Sequence, residues 1–196
     1  MTLSICSYLS FIYSKNAINF KSKSSYRNTI TNLKNVYRFN WNPAVAIAIT
    51  FTIQYSFYPG VILKYEPSFF TSFSWFVICV VTYHSFWDTI GRYLGGKISL
   101  INKEQFMAAS LSRIIFVVFY LLTFKSIQPQ IFGSNWFIIA NLTLFSVSCG
   151  YLSTIGMNFG ADETTVNQSL AGSIMGFHLT LGICLGSAIA LIFLSN

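Results

Sequence analysis

"FWDTIGR", residues 86–92, decides how the chain is read. It closes a long apolar run, yet it carries an aspartate and an arginine four residues apart, Asp88 and Arg92. Residues at i and i+4 share one face of a helix. His84 extends the same stripe one turn earlier, and Ser85 lies beside it. Asp88 lies five residues from the expected end of its helix, about 7.5 Å at helical rise. Arg92 is closer to that end and can snorkel, whereas the shorter aspartate cannot reach as far.

The surrounding composition supplies the context. Of 196 residues, 54% are hydrophobic and only 9% are charged, with 20 phenylalanines. Soluble domains carry about a quarter charged residues. A mean hydropathy of +0.58 is too high for a soluble domain of this size to bury its apolar surface, and points to an all-α membrane protein. A charge at mid-bilayer costs about 2.5–3.5 kcal/mol, so Asp88 and Arg92 belong inside a bundle or against water. Two readings compete. The pair reads either as an anchor for the helix end or as a ligand site. A carboxylate accepts hydrogen bonds from hydroxyls and a guanidinium donates several in fixed directions, so the pair suits a polar, uncharged ligand.

Five segments have the length and apolarity of spanning helices: 42–64, 69–93, 106–125, 135–158 and 169–195. Asn42 and Pro43 read as the cap and first turn of the first, and Pro59-Gly60 as a bend near its end. Residues 2–14 are apolar but short for a span and lack a signal peptide's basic start. Residues 15–41 read as a flexible basic loop, so 1–41 and 42–196 form a cytoplasmic segment and a five-helix transmembrane domain.

The net charge is +7, with Lys15, Lys21, Lys23, Arg27, Lys34 and Arg38 in one acid-free stretch. Its position just before a span argues for anionic lipid as the partner, and against nucleic acid. The positive-inside rule puts this stretch in the cytoplasm, along with the loop holding Lys97 and Lys103. Lys64 and Lys125 fall outside, as does the carboxyl terminus.

Several weaker features accompany these. Cys6, Cys79, Cys149 and Cys184 form no CxxC pair and read as packing residues, with no disulfide or metal framework. Asn141 and Asn167 match the glycosylation pattern, but one lies in an apolar run and the other on the cytoplasmic side. Gly172, Gly176, Gly182, Gly186 and Ala190 form a small-residue stripe that favours helix packing over the lining of a pathway. Ser146, Gly150, Ser153 and Thr154 form a small polar face that suits either a hydrogen-bonded seam or a pathway. Arg113 can snorkel or pair with Asp88, and His178 reads as hydrogen-bonded within the bundle. His84, Asp88 and His178 could in principle hold a metal for an intramembrane enzyme. The absence of HExxH and paired-acid motifs argues against catalysis and against any cofactor.

Taken in order, the motifs resemble the carboxyl-terminal half of the equilibrative nucleoside transporters. "FYPGV" at 57–61 resembles the end of that family's seventh helix, and "FWDTIGR" its Asp-x-x-Gly-Arg motif on the eighth. "SRIIF" at 112–116 resembles the ninth, "SCGYLSTIGMNFGA" at 148–161 the tenth, and "AGSIMGFHLTLGICLGSA" at 171–188 the eleventh. The resemblance implies a five-helix half-bundle of a major-facilitator-like transporter that moves nucleosides or nucleobases by alternating access. It implies ligand contacts at Asp88 and Arg92, with the ribose near them. It implies further ligand contacts at Ser85, which stands where the family often has Asn and so gives a weaker or altered contact, and at Tyr58, which stands where it often has Phe. His84 departs from an apolar residue and is not carried over, and Cys149 replaces an Asn. The family's first six helices have no counterpart here. The expectation is therefore a partial chain that needs an amino-terminal half, at the plasma membrane. The alternative is a non-transporting membrane protein that associates with a full-length transporter and modulates it.

Overall fold

A computed structural model describes residues 23–58, 72–124, 132, 134–162 and 168–195. The expectations for residues 2–14, for the Pro59-Gly60 bend and for Lys64, Lys125 and Asn167 lie outside them. Among the described residues, six helices follow in order: α1 (Lys23–Phe57), α2 (Phe73–Lys97), α3 (Lys103–Ser112), α4 (Ile114–Phe124), α5 (Asn135–Asp162) and α6 (Gln168–Ser195). The described residues contain no strand. Two compact units divide the chain, Met1–Arg38 and Phe39–Asn196, and every residue of the site described below belongs to the second.

α1 corrects two expectations. It begins at Lys23, so residues 23–41 are helical rather than a flexible loop, Asn42 is no cap, and Pro43 lies inside the helix. No glycine or proline interrupts residues 23–42, and nothing there stops a helix once started. Pro43 lacks the N–H that would bond the carbonyl one turn back. The helix accepts that loss with the Pro43 side chain fully buried.

α3 and α4 replace the expected continuous helix 106–125. They meet at Arg113, where the ladder tightens and Phe116 N–H bonds Arg113 O three residues back at 3.2 Å. Together they form one apolar stretch, Lys103–Thr123. α2 continues past the expected end at 93, because Gly95 packs against Tyr151 and Thr154 rather than ending the helix.

Among the described residues, three stretches are long and apolar enough to cross a bilayer: Lys103–Thr123, Asn135–Gly160 and Gln168–Ile192. α2 is as long, but His84, Asp88 and Arg92 lower its hydropathy. Outward-facing Phe177, Leu181, Leu185 and Ile189 on α6 are 36–63% exposed, as apolar side chains are toward lipid. The protein is an all-α membrane protein.

Helix α5 is the hub, touching α2 most extensively and also α3, α4 and α6. In lipid, burial from water drives little helix association, so close backbone approach must supply it. Gly91 on α2 and Gly150 on α5 meet without room for a methyl group on either. Tyr83 of α2 bonds Thr143 of α5 at 2.7 Å. Gly182 and Gly186 of α6 lie against Ala48 and Thr52 of α1 in the same way, and Thr52 Oγ1 reaches Gly182 O at 3.3 Å. Gly172 and Gly176 face open space, so the stripe divides. Ten residues between Gly172 and Gly182 leave about 80° of helical offset.

Candidate functional site

Polar side chains converge where α1, α2, α5 and the α3–α4 turn meet. α1 contributes the Gln54 side chain and the Thr50 carbonyl, Tyr58 follows just past its end, and α2 contributes His84, Asp88 and Arg92 one turn apart. Two groupings result.

The inner grouping centres on Arg113, which is 1% exposed. It neither snorkels nor pairs with Asp88. Its Nη1 donates to Thr50 O at 2.8 Å and its Nη2 to Gln54 Oε1 at 2.5 Å and Phe145 O at 3.1 Å. Its Nε donates to Ser148 Oγ at 3.2 Å, and the Phe145 ring lies 4.7 Å below the guanidinium carbon. No carboxylate among the described residues lies at ion-pair distance from it. Four oxygen acceptors and a ring face compensate the charge, which would otherwise be very unfavourable away from water. Beyond Arg113, Gln54 Nε2 sits 2.6 Å from His84 Nε2, and the His84 ring stacks on Tyr58 with centroids 3.9 Å apart and planes at 13°.

The outer grouping is the α2 pair. Arg92 Nε donates to Asp88 Oδ2 at 2.8 Å, with the arginine side chain half exposed and the aspartate 16% exposed. Asp88 Oδ1 is buried and has no hydrogen-bond partner. The carboxylate thus has one oxygen engaged and one vacant acceptor. Among the described residues, the only hydrogen bond of the guanidinium is the one from Nε to Asp88. An acceptor and donors side by side match a hydroxyl, which both donates and accepts.

Of the sequence-predicted residues, Asp88 and Arg92 are joined directly. Tyr58 is brought to α2 through His84, with its own hydroxyl buried and unpartnered. Ser85 is exposed and its hydroxyl donates back to Val81 O at 2.8 Å, so it stands beside the pair without joining it. The hydroxyls of Ser146, Ser153 and Thr154 bond carbonyls of their own helix. His178 is buried with Nδ1 2.9 Å from Ile174 O. Asn141 is buried and donates to Phe116 O at 3.3 Å. Cys149 is buried beside Arg113. Among the described residues no three His, Cys, Asp or Glu side chains converge.

Sequence reasoning missed Gln54 and set His84 aside. The available signal was their spacing. Gln54 lies one turn before Tyr58, and His84 one turn before Asp88, in stretches otherwise apolar.

The bundle is that of an all-α membrane protein, with apolar side chains outward, a buried Arg113, and the Asp88–Arg92 pair at a partly exposed position. A family model described as "Nucleoside transporter" matches residues 12–195, and the chain belongs to that family. It is 29% identical over 163 residues to equilibrative nucleoside transporter 1 of Homo sapiens, an alignment covering 76% of this chain and 35% of that protein. It is 28% identical over 157 residues to equilibrative nucleoside transporter 4 of Homo sapiens, covering 79% and 29%. With equilibrative nucleoside transporter 2 of Mus musculus it shares 25% over 169 residues, covering 81% and 37%. The chain spans about a third of the length of these relatives.

Proposed function

We propose that this chain is the carboxyl-terminal bundle of a transporter that moves nucleosides or nucleobases across the plasma membrane by alternating access. An amino-terminal half would supply the opposite wall of the cavity, and rocking of the two bundles would expose the site to each side in turn. Asp88 and Arg92 hold the ligand, Tyr58 packs against it, and Ser85 contributes at the edge. The basic segment lies in the cytoplasm and the carboxyl terminus outside.

One observation carries the reading. Asp88 Oδ1 is buried without a partner beside a half-exposed guanidinium. A buried acceptor left unpaired costs about 1–3 kcal/mol or more, so the site favours whatever donates to it. A ribose hydroxyl donates to Oδ1 and accepts from Arg92, which satisfies both at once.

The test is uptake of radiolabelled nucleoside in cells making the complete transporter, amino-terminal half included. Asp88→Ala and Arg92→Ala are expected to abolish uptake while the protein still reaches the surface. Normal uptake by both variants would reject the assignment.

A further inference from the structure

We propose that His84 is a positioning residue of this site: its Nε2 accepts a hydrogen bond that Arg113 has oriented through Gln54, and this fixes the ring on which Tyr58 rests. The inference deepens the reading above and rests on it, since that reading makes Tyr58 and Asp88 the ligand contacts.

The direction of each hydrogen bond follows from chemistry. A guanidinium has no acceptor, so the Gln54 atom facing Arg113 must be the amide oxygen. The opposite end of the amide, its NH2 group, then faces His84 at 2.6 Å. An amide nitrogen donates and does not accept, so His84 Nε2 accepts and the ring proton resides on Nδ1. The tautomer of a histidine on α2 is thereby set by an arginine at the α3–α4 turn, through a glutamine on α1.

The relay is anchored at its far end. Arg113 is tied to α1 at Thr50 O and to α5 at Phe145 O and Ser148 Oγ. Gln54 also holds Tyr58 directly, because Tyr58 N–H bonds Gln54 O at 2.9 Å. The stacked His84 ring holds the same tyrosine from the α2 side. His84 and Tyr58 are each 8% exposed, so neither ring has free space to swing. Asp88 follows one turn after His84 on the same face, so a roll of α2 about its axis would move both together.

The complete transporter carrying His84→Phe, His84→Gln or His84→Asn tests this, with KM and Vmax measured separately and corrected for surface amount. Phe keeps a ring but no acceptor. Gln keeps an acceptor near the reach of Nε2, and Asn is too short to reach it. His84→Phe and His84→Asn are expected to raise KM about tenfold, the effect of one ordinary hydrogen bond. His84→Gln should stay within about threefold of the parent, since it restores that bond. A part played only in folding would lower surface amount and leave KM alone. Unchanged KM in the Phe and Asn variants, or a Gln variant as impaired as they are, overturns the proposal. If the Phe variant fails to reach the surface, Gln against Asn gives the same decision. Asp88→Ala in the same assay separates the two claims. Its failure to transport, with unaltered KM in the His84 variants, removes the positioning role alone, whereas its normal transport removes the site itself.

Discussion

Gly91 of α2 and Gly150 of α5 face each other so closely that a methyl group on Gly91 would meet Val147 O and one on Gly150 would meet Asp88 O. The backbone of the proposed ligand-binding residue therefore rests directly on α5. Packing and site are one structure at this crossing, because moving α5 away would move Asp88.

Gly150→Ala should lower the thermal stability of the purified protein by about 1–3 kcal/mol, the range for overpacking a filled interior. Gly172→Ala serves as the contrast, since its added methyl meets nothing within 4 Å. That variant should be neutral or gain about 0.5–1 kcal/mol from the better helix former. Thermal unfolding in detergent distinguishes the two.

Arg113→Met should cost about 3 kcal/mol or more, because Gln54 and Ser148 lose a charged donor in a dry interior. Arg113→Lys keeps the charge but replaces a flat fork by a single ammonium, which cannot reach α1 and α5 together. It should remain at least about 1.5 kcal/mol below the parent. Both are read from the unfolding midpoint, with surface yield as a second measure.

The apolar stretches seen at Lys103–Thr123, Asn135–Gly160 and Gln168–Ile192 and the Asp88–Arg92 contact were legible in the sequence, because span length and i, i+4 spacing are local properties. The Tyr58–His84 stack and the relay to Arg113 were not. They depend on which faces of three helices meet, and nothing local records that Gln54 and Tyr58 turn toward His84 of α2. The start of α1 was misjudged for another reason. Asn42 and Pro43 form a plausible helix start, but the preceding twenty residues contain no breaker to make one necessary. The glycine stripe of α6 was assigned to one face, yet Gly182 and Gly186 pack while Gly172 and Gly176 do not.

Topology gives a separate prediction. Ser99 is exposed in the turn between α2 and α3, beside Lys97 and Lys103. A Ser99→Cys variant, with native cysteines replaced, should react with an impermeant maleimide only after the plasma membrane is permeabilised. Labelling in intact cells would place that turn outside and reverse the proposed orientation.

The central claim is that the vacant oxygen of Asp88 receives a ribose hydroxyl, and competition between a ribonucleoside and its 2′,3′-dideoxy counterpart tests it most directly. In the complete transporter the ribonucleoside should bind more tightly, by on the order of 10- to 100-fold, the range for a hydrogen bond to a charged group. Asp88→Asn turns an amide donor or a weaker neutral acceptor toward the same hydroxyl, and the preference should collapse to nearly equal affinities. A preference that persists undiminished in the Asp88→Asn variant would contradict the account.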